Sequence, residues 1–508
     1  MPLVVASAFR HLFLRRSRAP FRLARVLAVA SALVVPAVPA SAQPALRGAA
    51  ETRALPPAVD AALTRAGVPR DAMVAWVQEV AATRPRLAWQ GDKPVNPASL
   101  MKLVTTFAGL ELLGPAFSWS TPVWLQGTIE NGVLQGNLVI KGNGDPKLVL
   151  ERLWLLMRRV QQAGVREIRG DIVMDRSAFA AADANPAEFD GEPLRPYNAG
   201  ADALLLNYRA VLITIAPDPA RGVGVVSVDP PLAGVRADAT VPLAPGPCED
   251  WRAALKSDFA DPSRLRLAGA LATSCGEKVW PIAYVDPRSY NERVLAGMWQ
   301  ELGGRLTGTV REGIAPATPP TFELRSPVLA EVVRDINKLS NNVMAQQLFL
   351  TLAATQRGAG TPEVARDLLQ SWLRGRVGAA AKDAVIVNGS GLSRESRLSA
   401  ALLGRLLHAA WASPVMPELM SSLPVTGIDG TMRRSKGVPG RAHLKTGSLR
   451  DVVGVAGYVL GDSGRRYVVV GIVNHPNPNV ARPALEALTE WAAADAVPAG
   501  PVAGPTTP

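Results

Sequence analysis

The chain has 508 residues, 48% of them hydrophobic and 19% charged, with a formal charge of +12. That composition excludes a disordered or fibrous protein and allows two or three domains with a sizeable core. Two cysteines and four scattered histidines offer no ligand spacing for zinc.

Residues 1–42 carry Arg10, Arg15, Arg16, Arg18, Arg22 and Arg25 without an acid, then the apolar run Val26 to Val38, then Ala40-Ser41-Ala42. This is the pattern of a secretory signal cleaved after Ala42, with an uncleaved anchor as the alternative. Without those arginines the formal charge falls from +12 to +6. Nucleic acid is therefore not the expected partner, whereas anionic envelope polymers or lipid head groups suit a modestly basic exported protein. Export to the periplasm or cell envelope makes Cys248 and Cys275 one expected disulfide, with two free thiols as the alternative.

Asp60–Ala66 and Ala72–Ala82, followed by Leu87-Ala88-Trp89 and the Gln90-Gly91-Asp92 turn, read as a helix and then hairpin strands. Pro97 opens the next helix, where Leu103, Phe107, Leu110 and Leu113 recur at helical spacing until Gly114-Pro115. Near its start stand Ser99 and Lys102, on one helix face. Of the 10 lysines, only Lys102 has a serine three positions before it.

From residue 119 to 320 the pattern changes to short alternating segments broken by Gly, Pro and Asp, with a helix near Leu148 to Gly164. It predicts an inserted, mainly β module between residues 43–118 and 321–496, two parts of one catalytic domain. Helical stretches follow at Val328–Leu339, Val343–Leu352 and Leu398–Trp411. Strands follow at Ala442–Thr446, Val452–Val459 and Tyr467–Val473, then a helix at Arg482–Ala494. The Pro/Ala/Gly/Thr tail, 497–508, is expected to be disordered.

A serine nucleophile needs a base, and the histidines offer little: His11 leaves with the signal and His408 lies among apolar neighbours. A lysine can serve if burial and a second cation keep it neutral. His443-Leu444-Lys445-Thr446-Gly447-Ser448 supplies that cation on a strand. Lys445 and Thr446 would hold a carboxylate, Gly447 would let substrate backbone approach, and the Ser448 N–H would pair with that of Ser99 on an oxyanion. Two Ser-x-Asn matches compete for the polar element between them. Ser340-Asn341-Asn342 is chosen because it interrupts two apolar helical stretches, whereas Ser289-Tyr290-Asn291 reads as an N-cap on a solvated helix start.

Ser-x-x-Lys, Ser-x-Asn and Lys-Thr-Gly, in that order, resemble the penicillin-binding proteins and serine β-lactamases. Ser340 follows Lys102 by 238 residues and Lys445 follows Ser340 by 105. With Lys141-Gly142-Asn143-Gly144-Asp145-Pro146, Tyr197-Asn198-Ala199, Asn388 to Arg394 and Gly430-Thr431-Met432, the chain resembles the D-alanyl-D-alanine carboxypeptidase/endopeptidase family of penicillin-binding protein 4 type, peptidase family S13. Ser448 departs from the threonine often found there.

The resemblance implies an α/β (α+β) catalytic domain with an antiparallel sheet, split by the large insertion. It also implies a penicillin-binding serine peptidase that cleaves D-Ala-D-Ala ends and crosslinks of peptidoglycan through an acyl-enzyme. Ser99 would attack, Lys102 take its proton, Ser340 relay a proton to the leaving amine with support from Lys445, and Asn342 orient the acyl-side amide. No metal or organic cofactor is required. β-Lactams would acylate Ser99. Asp183 is matched to an insertion-borne aspartate near the site, with a plain turn residue as the alternative. A β-lactamase on the same site, or a non-catalytic envelope-binding protein, are the competing functions.

Overall fold

The structure, a computed structural model, describes residues 54–180 and 185–495. The expected signal segment, Asp183 and the 497–508 tail lie outside the described residues. The fold is mixed α/β, and no helix among the described residues is long and apolar enough to cross a membrane.

The site is built on a five-stranded antiparallel sheet in the order Ala442–Leu449, Val452–Leu460, Arg466–Asn474, Met73–Glu79, Leu87–Trp89. Its central strands are nearly unbroken apolar runs because both faces are covered. One face packs against the helices Pro57–Arg65 and Arg482–Ala493 around Leu63, Val469 and Leu488. The other packs against Met101–Leu113, Leu329–Leu339, Asn342–Arg357 and Ala400–Trp411 around Val470, Leu103 and Leu348. Met73 pairs with Val473, so an early strand and a late one close a single sheet. The strand predicted to end at Thr446 runs on to Leu449, since Leu449 pairs with Val452 across a tight turn.

Between these halves a second core gathers around Leu138, Ile172, Ile213, Leu295 and Trp299. It is built by a seven-stranded mixed sheet, a five-stranded sheet and two long helices, Leu150–Gln162 and Pro287–Glu301. A disulfide joins Cys248 and Cys275 in this region. Ser289 is not the cap expected from the sequence: Asp286 is, accepting the Arg288 N–H, and Ser289 lies inside the helix. Nor is that helix start fully solvated, because Asn291 is buried and donates to the Leu204 carbonyl. The helices Pro362–Val377 and Met416–Ser422 have no counterpart among the predicted elements, although Thr361 caps the first and Pro362 opens it.

Candidate active site

Ser99 lies in a short 3-10 turn, Ala98–Leu100, that leads directly into the Met101–Leu113 helix. The turn is held from several sides. Asn96 accepts the Ala98 N–H, donates its side-chain amide to the Ser393 carbonyl, and exchanges bonds with the Asn474 side chain on the sheet. Ala98 sits at φ +46°, a left-handed conformation that alanine adopts only when its surroundings enforce it.

Two glycines do the enforcing. A Cβ at Gly391 would lie 1.9 Å from the Ala98 carbonyl, and one at Gly447 would lie 2.8 Å from the Pro97 carbonyl. The backbone that uses the space at Gly447 is therefore the protein's own, pressing the edge strand onto the serine turn.

Lys102, one turn along, is fully buried. Its Nζ lies 2.9 Å from Ser99 Oγ and donates to Asn342 Oδ1 and the Ser390 carbonyl, both at 2.7 Å. Both of those oxygens only accept, so a neutral amine would spend its two N–H groups on them and turn its lone pair to the Ser99 hydroxyl. Burial, and then the charge of Lys445, lowers the Lys102 pKa well below the usual lysine value. Among the described residues Lys102 forms no ion pair, whereas Lys338 reaches Asp429 at 2.6 Å.

The Ser390 carbonyl comes from the loop 388–392, where Asn388 Oδ1 accepts from the Ser390 N–H, the Ser390 hydroxyl and the Gly391 N–H. Thr105 also donates to the Gly389 carbonyl, tying the loop to the serine helix. In the sequence this segment carries only the family resemblance and no assigned role. Its contribution is a main-chain oxygen, which no side-chain type announces, although the paired glycines, Gly389 and Gly391, both at positive φ, mark a sharp turn.

Ser340 stands between two helices. The Leu329–Leu339 helix ends on it at φ +57°, ψ +38°, and Asn341 then caps the Asn342–Arg357 helix by accepting the Met344 N–H. A left-handed C-terminal position favours glycine, so a serine there is held against conformational preference. Its hydroxyl accepts from Lys445 Nζ at 2.8 Å, and Lys445 also donates to the Thr446 carbonyl. Lys445 is fully buried, and burial lowers its pKa to about 7. Asn342 donates its side-chain N–H to the Tyr197 carbonyl at 3.3 Å, so the two candidate elements meet through one amide.

Strand alternation sends Thr446 to the face opposite Lys445, where its hydroxyl lies 2.8 Å from that of Thr431. The two side chains expected to share a carboxylate thus diverge. Ser448 is exposed, one residue beyond the Gly447 contact with the serine turn. Among the described residues no histidine partners Ser99: His443 is half-buried, its pKa lowered by burial, and His475 bonds the Asn477 backbone.

The profile of the family described as D-Ala-D-Ala carboxypeptidase 3 (S13) matches residues 55–495. The chain belongs to this S13 carboxypeptidase family. Its reaction is serine-type hydrolysis of D-Ala-D-Ala peptides. The D-alanyl-D-alanine carboxypeptidase DacB of Haemophilus influenzae is 24% identical, over 76% of this chain and 82% of that one. The D-alanyl-D-alanine carboxypeptidase of Actinomadura sp. strain R39 is 28% identical, over 76% and 74%. Penicillin binding protein 4 from Haemophilus influenzae shares the fold, with a TM-score of 0.68 and 21% identity over 85% of this chain and 98% of that one. That protein has also been solved with a β-lactam bound.

Proposed function

We propose that this S13 carboxypeptidase acts on peptidoglycan stem peptides in the cell envelope after export, with Ser99 as nucleophile and Lys102 as its base. Lys102 carries the reading: a buried amine without a carboxylate partner among the described residues, its N–H groups directed at two acceptors and the serine hydroxyl 2.9 Å away. Proton removal by a base in this position is typically worth about 10²–10⁴ in rate.

Ser99 Oγ attacks the carbonyl of the penultimate D-alanine and passes its proton to Lys102. The backbone N–H groups of Ser99 and Ser448 receive the oxyanion. As the intermediate collapses, Ser340 gives its proton to the departing amine and recovers one through Lys445, leaving an ester on Ser99; Lys102 returns its proton to this relay by way of solvent and is neutral again before deacylation. Water then attacks the ester, with Lys102 again taking a proton, and the shortened peptide leaves. Lys445 receives the terminal carboxylate, joined by Thr446 if its hydroxyl exchanges Thr431 for substrate. Asn342 orients the acyl-side amide while holding Lys102. Gly447 keeps the strand close to the serine turn, and Asp183 is a candidate contact on the acyl side.

The same chemistry extends to D-Ala crosslinks, and β-lactams are expected to acylate Ser99. Residues 119–320 are read as a module inserted into the catalytic domain. The excess of basic residues favours loose association with anionic envelope polymers or membrane surfaces. The test is D-alanine release from a synthetic pentapeptide together with labelling by a fluorescent penicillin. Wild type should show both and folded Ser99→Ala neither; a folded wild type with neither contradicts the reading.

A further inference from the structure

Beside Ser340 and Asn342, away from the serine turn, the molecule opens into a cleft of about 530 Å³. Its floor is the Leu339–Val343 connection between the two helices, so it is continuous with the candidate site. Its walls come from the inserted region: Lys147, Tyr197, Tyr208 and Leu212 among them. Lys147 Nζ donates to Asp335 at 2.8 Å, and Tyr208 lines the same cleft. Three consecutive residues, Asn207, Tyr208 and Arg209, have φ of +41°, +57° and +53°, which aims Tyr208 at this place against backbone preference.

Past Leu212 the wall continues as the outer face of a sheet. Leu212 pairs with Asp229 and Pro281, and Thr214 with Ser227 and Val279, so these residues share one side. Leu212, Val225 and Val279 are exposed there, at 38%, 40% and 47%. In the strands Ala210–Asp218, Val223–Asp229 and Lys278–Ala283, the only charges on that side are Asp229 at the cleft end and Asp218 at the far end. The face carries small and aliphatic groups interleaved with hydroxyls. It has neither the cations a lipid surface would require nor an aromatic platform for sugars.

We infer that this cleft, with the sheet face leading from it, is a groove for the amine-donating stem peptide of a peptidoglycan crosslink. The inference rests on the proposed function above. Ser340 is the group placed to protonate the leaving nitrogen, so whatever is attached to that nitrogen continues from the Ser340 side. When the leaving group is free D-alanine, nothing continues, and the groove stays empty. When it is the side-chain amine of a second stem, that peptide must lie where the cleft begins. Its small D-alanine and amide groups match the stretch of sheet face between Asp229 and Asp218, which carries no charge, and Lys147 and Tyr208 line the cleft where its carboxylate would lie. Hydrolysis is balanced as for the terminal reaction: the amide C–N bond breaks, water supplies the hydroxyl of the new carboxylic acid, and the amine leaves protonated.

Leu212→Trp, filling the cleft, and Leu212→Asp, charging its wall, alter an exposed position outside the catalytic groups. Three rates are read for each with the full chain: cleavage of a purified crosslinked muropeptide dimer, D-alanine release from a pentapeptide, and acylation by penicillin. Both variants should lower kcat/KM for the dimer about tenfold, mainly through KM, with the other two rates within about twofold of wild type. Equal losses on dimer and pentapeptide, or no loss on either, overturn the groove. A wild type that releases D-alanine but leaves dimers intact overturns it while the carboxypeptidase reading stands. A wild type that does neither overturns that reading itself.

Discussion

Lys102 and Lys445 are both fully buried, neither in an ion pair among the described residues, and yet differently placed. Lys102 projects from a helix into a closed ring of Ser99, Asn342 and the Ser390 carbonyl. Lys445 projects from an edge strand toward Ser340, with one main-chain carbonyl as its other partner. Burial disfavours the charge on each, and for Lys102 the charge of Lys445 adds repulsion to desolvation. In the proposed mechanism the pair divides its labour: Lys102, which Lys445 also repels, is the base, and Lys445, near 7, carries charge when a substrate carboxylate arrives.

The largest expected effect separates the two. Lys102→Met, keeping the volume but losing the base, should reduce D-alanine release by about 10³-fold or more. Lys445→Met should cost less, about 10²-fold, and should raise KM as well, because it removes a carboxylate partner as well as support for Ser340. Equal losses with unchanged KM would erase the distinction.

The pH profile sharpens it further. kcat/KM should rise with pH while Lys102 loses its proton, then fall above about 7 as Lys445 loses its own. Bound carboxylate favours charged Lys445, so the alkaline limb of kcat should lie at higher pH than that of kcat/KM. An alkaline limb at the same pH in both would argue against a carboxylate on Lys445.

A smaller effect has opposite signs in two measurements. Ser340→Gly relieves the left-handed backbone and should raise stability by about 1 kcal/mol in denaturant unfolding. It should also lower kcat, since no hydroxyl remains to carry the proton. The smallest effect expected is from Thr431→Val, which frees the Thr446 hydroxyl from its partner and should shift KM by about twofold or less.

The sequence made one side of this comparison more legible than the other. A serine and a lysine at helical spacing, with no usable histidine, announce the first lysine because both groups are side chains on one element. The placement of Ser340 beside Lys445 and of Asn342 beside Lys102 was also foreshadowed, since a polar interruption between two apolar stretches is conspicuous. The Ser390 carbonyl was not, because its chemistry is in the main chain and its position depends on Gly391 fitting against Ala98. Nor was the divergence of Thr446 from Lys445, although strand periodicity alone implies it once the tripeptide is placed on a strand. The Pro362–Val377 helix carried start signals in Thr361 and Pro362. The supporting sheet was readable from apolar runs, while its joining of Met73–Glu79 to Arg466–Asn474 is long-range pairing that no local pattern encodes.

The central claim is that Lys102 is the neutral base for Ser99, and mapping the penicillin adduct tests it most directly. Intact-mass and peptide analysis of folded wild type should find one adduct per chain, on Ser99. Folded Lys102→Met, given the same exposure time, should show almost none. An adduct on another residue, or on Ser99 at an unchanged rate in the Lys102→Met variant, would contradict the account.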